Sequence, residues 1–181
     1  INGHSDSVFA TLRGLEVKAA PVVAPPPPPP PAPAPRLANL LKPEVDAGLI
    51  AVQDFADRSV VVIRGDGFFE PGSAVVAGKV LPLLTRIQTA LQSLPGTVLI
   101  TGHTDNEPIR SLRYPSNWHL SQDRANAVKA VLAGSLKPER LRAEGRADAE
   151  PMPGADNTTP AGRAQNRRVE ITLFVPQGGA V

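Results

Sequence analysis

Between Pro21 and Pro35 the chain carries ten prolines, seven of them consecutive from Pro25 to Pro31. Each proline ring locks φ and removes an amide donor, so neither a helix nor a sheet can run through this stretch. Polyproline II rises about 3.1 Å per residue, so a segment of this length spans roughly 45 Å as a semi-rigid spacer. The 181 residues therefore divide into a short segment 1–20, a linker 21–35, one folded domain over 36–177 and a tail 178–181. Within 1–20, Val8, Phe9, Leu12 and Leu15 recur at helical spacing, which predicts a short amphipathic helix with little to pack against. A proline run can also be a ligand for aromatic-lined grooves, but no basic residues flank a regular PxxP pattern here, and the spacer reading is preferred.

Composition narrows the function classes. Apolar residues reach 41% but aromatics only 4%, so the core must be built from Val, Leu, Ile and Ala, and recognition by aromatic stacking is disfavoured. Lys plus Arg exceed Asp plus Glu by 19 − 17 = 2, with no basic run, which argues against nucleic acid as a partner. The absence of cysteine removes thiol catalysis, cysteine-ligated zinc and disulfides. No run approaches the roughly 18 apolar residues of a membrane span. Because residue 1 is Ile rather than Met, the expectation is a piece of a longer protein whose membrane anchor lies upstream.

From Arg36 onward the pattern alternates. Leu37, Leu40 and Leu41 open a short helix that Pro43 interrupts or restarts. Ile50–Asp54 and Ser59–Arg64 read as a hairpin, and the run Val60, Val61, Val62, Ile63 suggests burial on both faces. Apolar residues at Val80, Leu83, Leu84, Ile87 and Leu91 predict a helix within Val75–Leu94. Thr97–Thr101 follows as a buried strand. Ser116 is the expected N-cap of a helix that ends at Gly134 in the left-handed position. Leu141–Glu144 and Arg168–Phe174 read as further strands, with a short helix over Ala161–Gln165 between them. Strands alternating with helices predict an α/β domain with a mixed sheet.

Three blocks then occur in order: Gly102-His103-Thr104-Asp105-Asn106, Asn117-Trp118-His119-Leu120-Ser121-Gln122-Asp123-Arg124-Ala125, and Asn166-Arg167-Arg168-Val169-Glu170. With the upstream Phe69-Glu70-Pro71-Gly72-Ser73-Ala74, they resemble the OmpA C-terminal family over roughly residues 50–174. The resemblance implies a two-layer β/α/β/α/β-β domain whose helices pack one face of the sheet. It also implies a non-catalytic role, binding the diaminopimelate of the peptidoglycan stem peptide. The side-chain end of diaminopimelate carries an amino group beside a carboxylate, so a reader needs a fixed anion and a fixed cation. Asp105 and Arg124 match the family residues for these two jobs. Asn117, Asn106 and Thr104 are carried over as further ligand-binding residues, and Leu120 and Arg168 as supports of the site. Asn117, Ser121 and Arg124 fall at i, i+4 and i+7, one helical face. A guanidinium can grip a carboxylate with two parallel bonds.

The competing readings are plain. The alternative to a shared ligand is that Asp105 and Arg124 pair with each other, but the blocks together favour a ligand between them. Of Arg167 and Arg168, one is expected to support the site loop and the other to face solvent, with Glu170 as an internal partner. His103, His119 and Asp105 match no zinc spacing, and no metal or cofactor is expected. Ser121, His119 and Asp123 crowd one helical turn and cannot converge as nucleophile, base and orienter. Trp118 is expected in core packing or loop anchoring.

The insert Asn106–Ser116 and its ending Tyr114-Pro115-Ser116-Asn117-Trp118 resemble two groups: MotB stator proteins and the OmpA-like extension of the DotU (TssL) proteins of type VI secretion. Asn2–Phe9, Gly65–Phe69 and Arg142–Pro151 favour the second. That resemblance implies a periplasmic domain carried on an inner-membrane protein, with peptidoglycan and other secretion-complex subunits as partners and a homodimer as an option. The alternatives are a stator wall anchor or a protein-interaction module that ignores the wall.

Overall fold

The computed structural model describes residues 36–109 and 111–176, so the expectations for residues 1–20, 21–35 and 178–181 fall outside the described residues. The elements are α1 Leu37–Leu40, α2 Lys42–Asp46, β1 Ile50–Asp54, β2 Arg58–Arg64, α3 Leu81–Gln92, β3 Thr97–His103, α4 Asn117–Leu132, β4 Leu141–Gly145, α5 Pro160–Asn166 and β5 Arg168–Phe174. Single 3-10 turns precede α3 and β4, at Gly78–Val80 and Pro138–Arg140. The sheet runs β1-β2-β5-β3-β4, parallel between β3 and β4 and antiparallel elsewhere. This is the mixed sheet expected from the alternation of elements. The last strand lies between the β1–β2 hairpin and β3, and so joins the two halves of the domain.

Helices cover one face. Val61, Ile63, Val98, Ile100, Val169, Ile171 and Leu173 point into a single core with Leu37 and Leu41, Leu84, Ile87 and Leu91 of α3, and Val128 and Leu132 of α4. The run Val60–Ile63 is therefore not buried on both sides. Val61 and Ile63 are buried, whereas Val60 and Val62 on the uncovered face are only half-buried. No helix among the described residues is long and apolar enough to cross a membrane.

The helix expected within Val75–Leu94 runs from Leu81 to Gln92, starting where Pro82 fits the first turn, in which no intrahelical amide bond is required. Upstream, Val76 instead bridges to Phe69. Gly134 does not take the left-handed conformation. The chain leaves α4 through tight turns, with Gly134 N bonded to Val131 O and Leu136 N to Leu132 O. The last α4 carbonyls also accept Gln88 Nε2 from α3.

What fixes α4 against the sheet is glycine. A Cβ on Gly102 of β3 would lie 2.2 Å from Ser121 O, and one on Gly145 of β4 2.4 Å from Gln122 N. Both are closer than real atoms approach, so the missing side chains let the helix backbone settle directly onto β3 and β4. Gln122 completes the seam by accepting from Gly145 N and donating to Ala143 O.

Candidate functional site

The C-terminal ends of β2 and β3 meet the N-terminal end of β5 at one edge of the sheet, since Arg168 is opposite both Arg64 and His103. The loops leaving β2 and β3, together with the first two turns of α4, enclose a cavity of about 570 Å³. That volume falls in the range of small-molecule sites. Thr104, Asp105, Asn117, Leu120 and Arg124 all line it.

Asp105 is 7% exposed. Its Oδ1 accepts the amide of Glu107 at 3.0 Å, a local turn that fixes the carboxylate, and its Oδ2 accepts Arg167 Nη1 at 2.6 Å. Thr104 ties the same turn to the chain beyond β4, donating its amide to Ala147 O at 2.8 Å. Asn117 braces the loop from the other side, its Nδ2 donating to Glu107 O at 2.8 Å. Ser116 caps α4 as expected, accepting the amide of His119.

Arg124 sits across the cavity and is also 7% exposed. Its Nε donates to Ser73 O at 2.7 Å and its Nη2 to Glu70 O at 3.3 Å, while its guanidinium lies 4.9 Å from the centre of the Phe69 ring. Phe69 is held edge-on by Phe68. Burial pushes the Arg124 pKa down, opposed by the charge on Asp66, yet guanidinium remains protonated at neutral pH. Among the described residues no carboxylate lies within ion-pairing distance of it. The direct Asp105–Arg124 pair does not form.

The cavity wall holds two residues that the sequence reading did not place there. Arg167 forks onto Asp66 through Nε and Nη2, at 3.0 and 2.9 Å, and reaches Asp105 with its remaining nitrogen. Arg167, expected either to support the site or to face solvent, is thus a clamp between the β2 and β3 loops. Its hydrogen bonds hold the Asp66 carboxyl below the usual range against the opposing effect of burial, and Asp66 in turn raises Arg167. A carboxylate whose folded pKa is lowered stabilises the fold above its unfolded pKa, and that contribution fades as pH falls through the folded value. The stability difference between the native protein and Asp66→Asn should accordingly hold above about pH 5 and shrink as pH falls through 3.8, the ordinary carboxylate value, and below it. Thermal melts across that range check this, and a pH-independent difference would contradict it.

Asn106 is exposed and does not line the cavity, and neither does Arg168. Arg168 is buried on the uncovered side of the sheet, bonded to Glu170 at 2.8 Å and to Glu150 O at 2.9 Å, so it braces the β4–α5 loop. Ser121 also turns away: its hydroxyl donates to Trp118 O and accepts Ala147 N. The face of α4 that meets the cavity is Asn117, Leu120 and Arg124. Trp118 is 54% exposed rather than packed in the core. His103 is buried and its pKa is lowered to about 3, first by burial and then by Arg168 and Arg146. Its Nε2 lies 3.1 Å from Thr101 Oγ1 and 3.3 Å from Glu170, which Arg168 already pairs, so the contact is a hydrogen bond of a neutral ring. His119 bonds Ser116 at the helix start. Among the described residues no group of three or more His, Cys, Asp or Glu is placed to hold a metal.

Comparison with known proteins agrees with this fold. The structure of the cell wall anchor of the T6SS from Pseudomonas aeruginosa is 52% identical, covers 78% of this chain and 99% of that one, and superposes with a TM-score of 0.74. Motility protein B of Bacillus subtilis is 36% identical over 122 residues, 67% of this chain and 46% of that protein. A MotB-like protein from Desulfovibrio vulgaris, 24% identical and covering 77% of this chain and 90% of that one, shares the fold with a TM-score of 0.71. The chain spans about half the length of the curated relatives it matches. The OmpA family model matches residues 68–167, more than half of the sequence and every wall of the cavity except the Gly65–Gly67 turn. The chain belongs to the OmpA family.

Proposed function

We propose that this domain binds peptidoglycan without catalysis, gripping the side-chain end of diaminopimelate in the stem peptide, and so anchors a type VI secretion inner-membrane complex to the cell wall from the periplasm. One observation carries the reading: among the described residues Arg124 is a buried guanidinium bonded only to neutral carbonyls, and it faces a cavity. Buried charges are ordinarily paired, so an anion from outside the chain is the natural partner. Across the same cavity Asp105 keeps unshared lone pairs for an ammonium. One ligand carrying both charges side by side satisfies both groups, as the amino-carboxyl end of diaminopimelate does. Asn117 and Thr104 hold the Asp105 loop in place, and Leu120 supplies an apolar wall for the ligand's methylenes.

The likeness to the secretion-system wall anchor, at 52% identity, favours that machine over a flagellar stator, for which the motility relative stands at 36%. Many such sites on one complex would act together, so weak single-site affinity still gives a firm hold. Further secretion-complex subunits, and a second copy of the chain, are the protein partners this reading admits. Sedimentation with purified peptidoglycan is the test. The unmodified protein is expected in the pellet, with Asp105→Ala and Arg124→Ala left in the supernatant. Equal pelleting of all three would overturn the site. Release of soluble muropeptides would make the protein an enzyme, and capture of subunits with no pelleting would make it a protein-interaction module.

A further inference from the structure

The cavity does not end at the zwitterion site. A second groove of about 480 Å³ continues from it across the same Gly67, Phe69 and Pro71 wall, with Glu70 and Lys79 on its rims. Gly67 has φ +82, a conformation that side chains rarely adopt, and the nearest atom to a Cβ built there is Lys79 Nζ at 4.0 Å. The ammonium therefore lies close to Gly67, a residue that lines both spaces. Lys79 is exposed and makes no ion pair or hydrogen bond among the described residues.

We propose that this groove is a second subsite, in which Lys79 receives the main-chain carboxylate of the peptide whose side chain is held by Asp105 and Arg124. The inference rests on the zwitterion reading, because the ligand's side chain must first be fixed for its main chain to lie across Gly67. A groove continuous with the cavity, with a free cation beside the glycine they share, suits an extended ligand with a second anion. Glu70 also lines this groove, and its negative charge disfavours a carboxylate beside it and so favours placement at Lys79. Its backbone carbonyl, not its carboxylate, is what Arg124 uses.

The test uses calorimetric titration of the whole chain with a stem tripeptide ending in diaminopimelate. One form carries its main-chain carboxylate free and the other has it amidated, with the side-chain amino and carboxyl groups intact in both. The free acid is expected to bind about three-fold tighter, the scale of one exposed ion pair, with the preference fading at high salt. Lys79→Gln should erase the preference while leaving the amide's affinity unchanged, and Glu70→Gln should enlarge it. Equal binding of the two forms by the unmodified protein, or a preference that survives Lys79→Gln, would overturn the subsite and leave the zwitterion site standing. Failure of both peptides to bind would sink the two together.

Discussion

Arg124→Met is expected to abolish ligand binding while leaving the fold as stable as before or more stable. The two effects have opposite sign because the guanidinium is buried with no carboxylate partner among the described residues. Removing one partner of a buried, hydrogen-bonded charge pair in a complex weakens it by about 2–5 kcal/mol, roughly 30-fold to several thousand-fold in affinity. In the free protein the same substitution deletes a desolvated charge, and exchanging buried charge for well-packed apolar groups is often neutral or stabilising. Methionine keeps the unbranched stem and can pack its sulfur against Phe69, where the guanidinium now lies. Arg124→Lys should fall between, since an ammonium retains the charge but not the two-pronged grip on a carboxylate. Binding by calorimetry and melting temperature, measured on the same samples, check both halves. A variant that lost stability and binding together would show instead that Arg124 is a structural brace.

The second large effect lies in the seam between α4 and the sheet. Gly102→Ala would place a methyl carbon 2.2 Å from Ser121 O, backbone that cannot swing aside as a side chain would. Either α4 lifts off β3 or the strand bends. Overpacking of this kind costs typically about 1–3 kcal/mol, occasionally more. At roughly 2–4 °C per kcal/mol for a domain of this size, the melting temperature should fall by several degrees or more. Because the same helix carries Asn117, Leu120 and Arg124, binding should weaken even where the domain remains folded. Ser121→Ala, which removes only hydroxyl bonds to Trp118 O and Ala147 N, should be milder. A Gly102→Ala protein that melts and binds like the native one would mean the helix is not seated as described.

How far the sequence disclosed these features depended on whether each was local. The hairpin, the cap at Ser116 and the restart of the first helix at Pro43 follow from short-range rules, and they stand where those rules put them. Apolar periodicity found α3 within its segment, whereas the left-handed glycine expected at the end of α4 is absent, because the chain leaves through tight turns and Gln88 takes the last α4 carbonyls. Motif blocks pointed to Asp105, Arg124 and Asn117, which line one cavity, but could not say how the two charges are kept apart. That depends on Arg167 and Asp66, 101 residues apart in the chain. Only the antiparallel registers of β5 with β2 and β3 put the Arg167 fork beside both carboxylates. Adjacent arginines gave no hint of which would enter the cavity. A two-residue period at the start of β5 sends Arg168 to the uncovered face, leaving Arg167 for the site.

A crystal structure of the complex with diaminopimelate tests the central claim most directly. One carboxylate should lie on the free edge of the Arg124 guanidinium, and the adjacent ammonium should lie on Asp105, with Arg167 still forked onto Asp66. A ligand bound with neither contact, or held at another surface while this cavity stays accessible, would contradict the account.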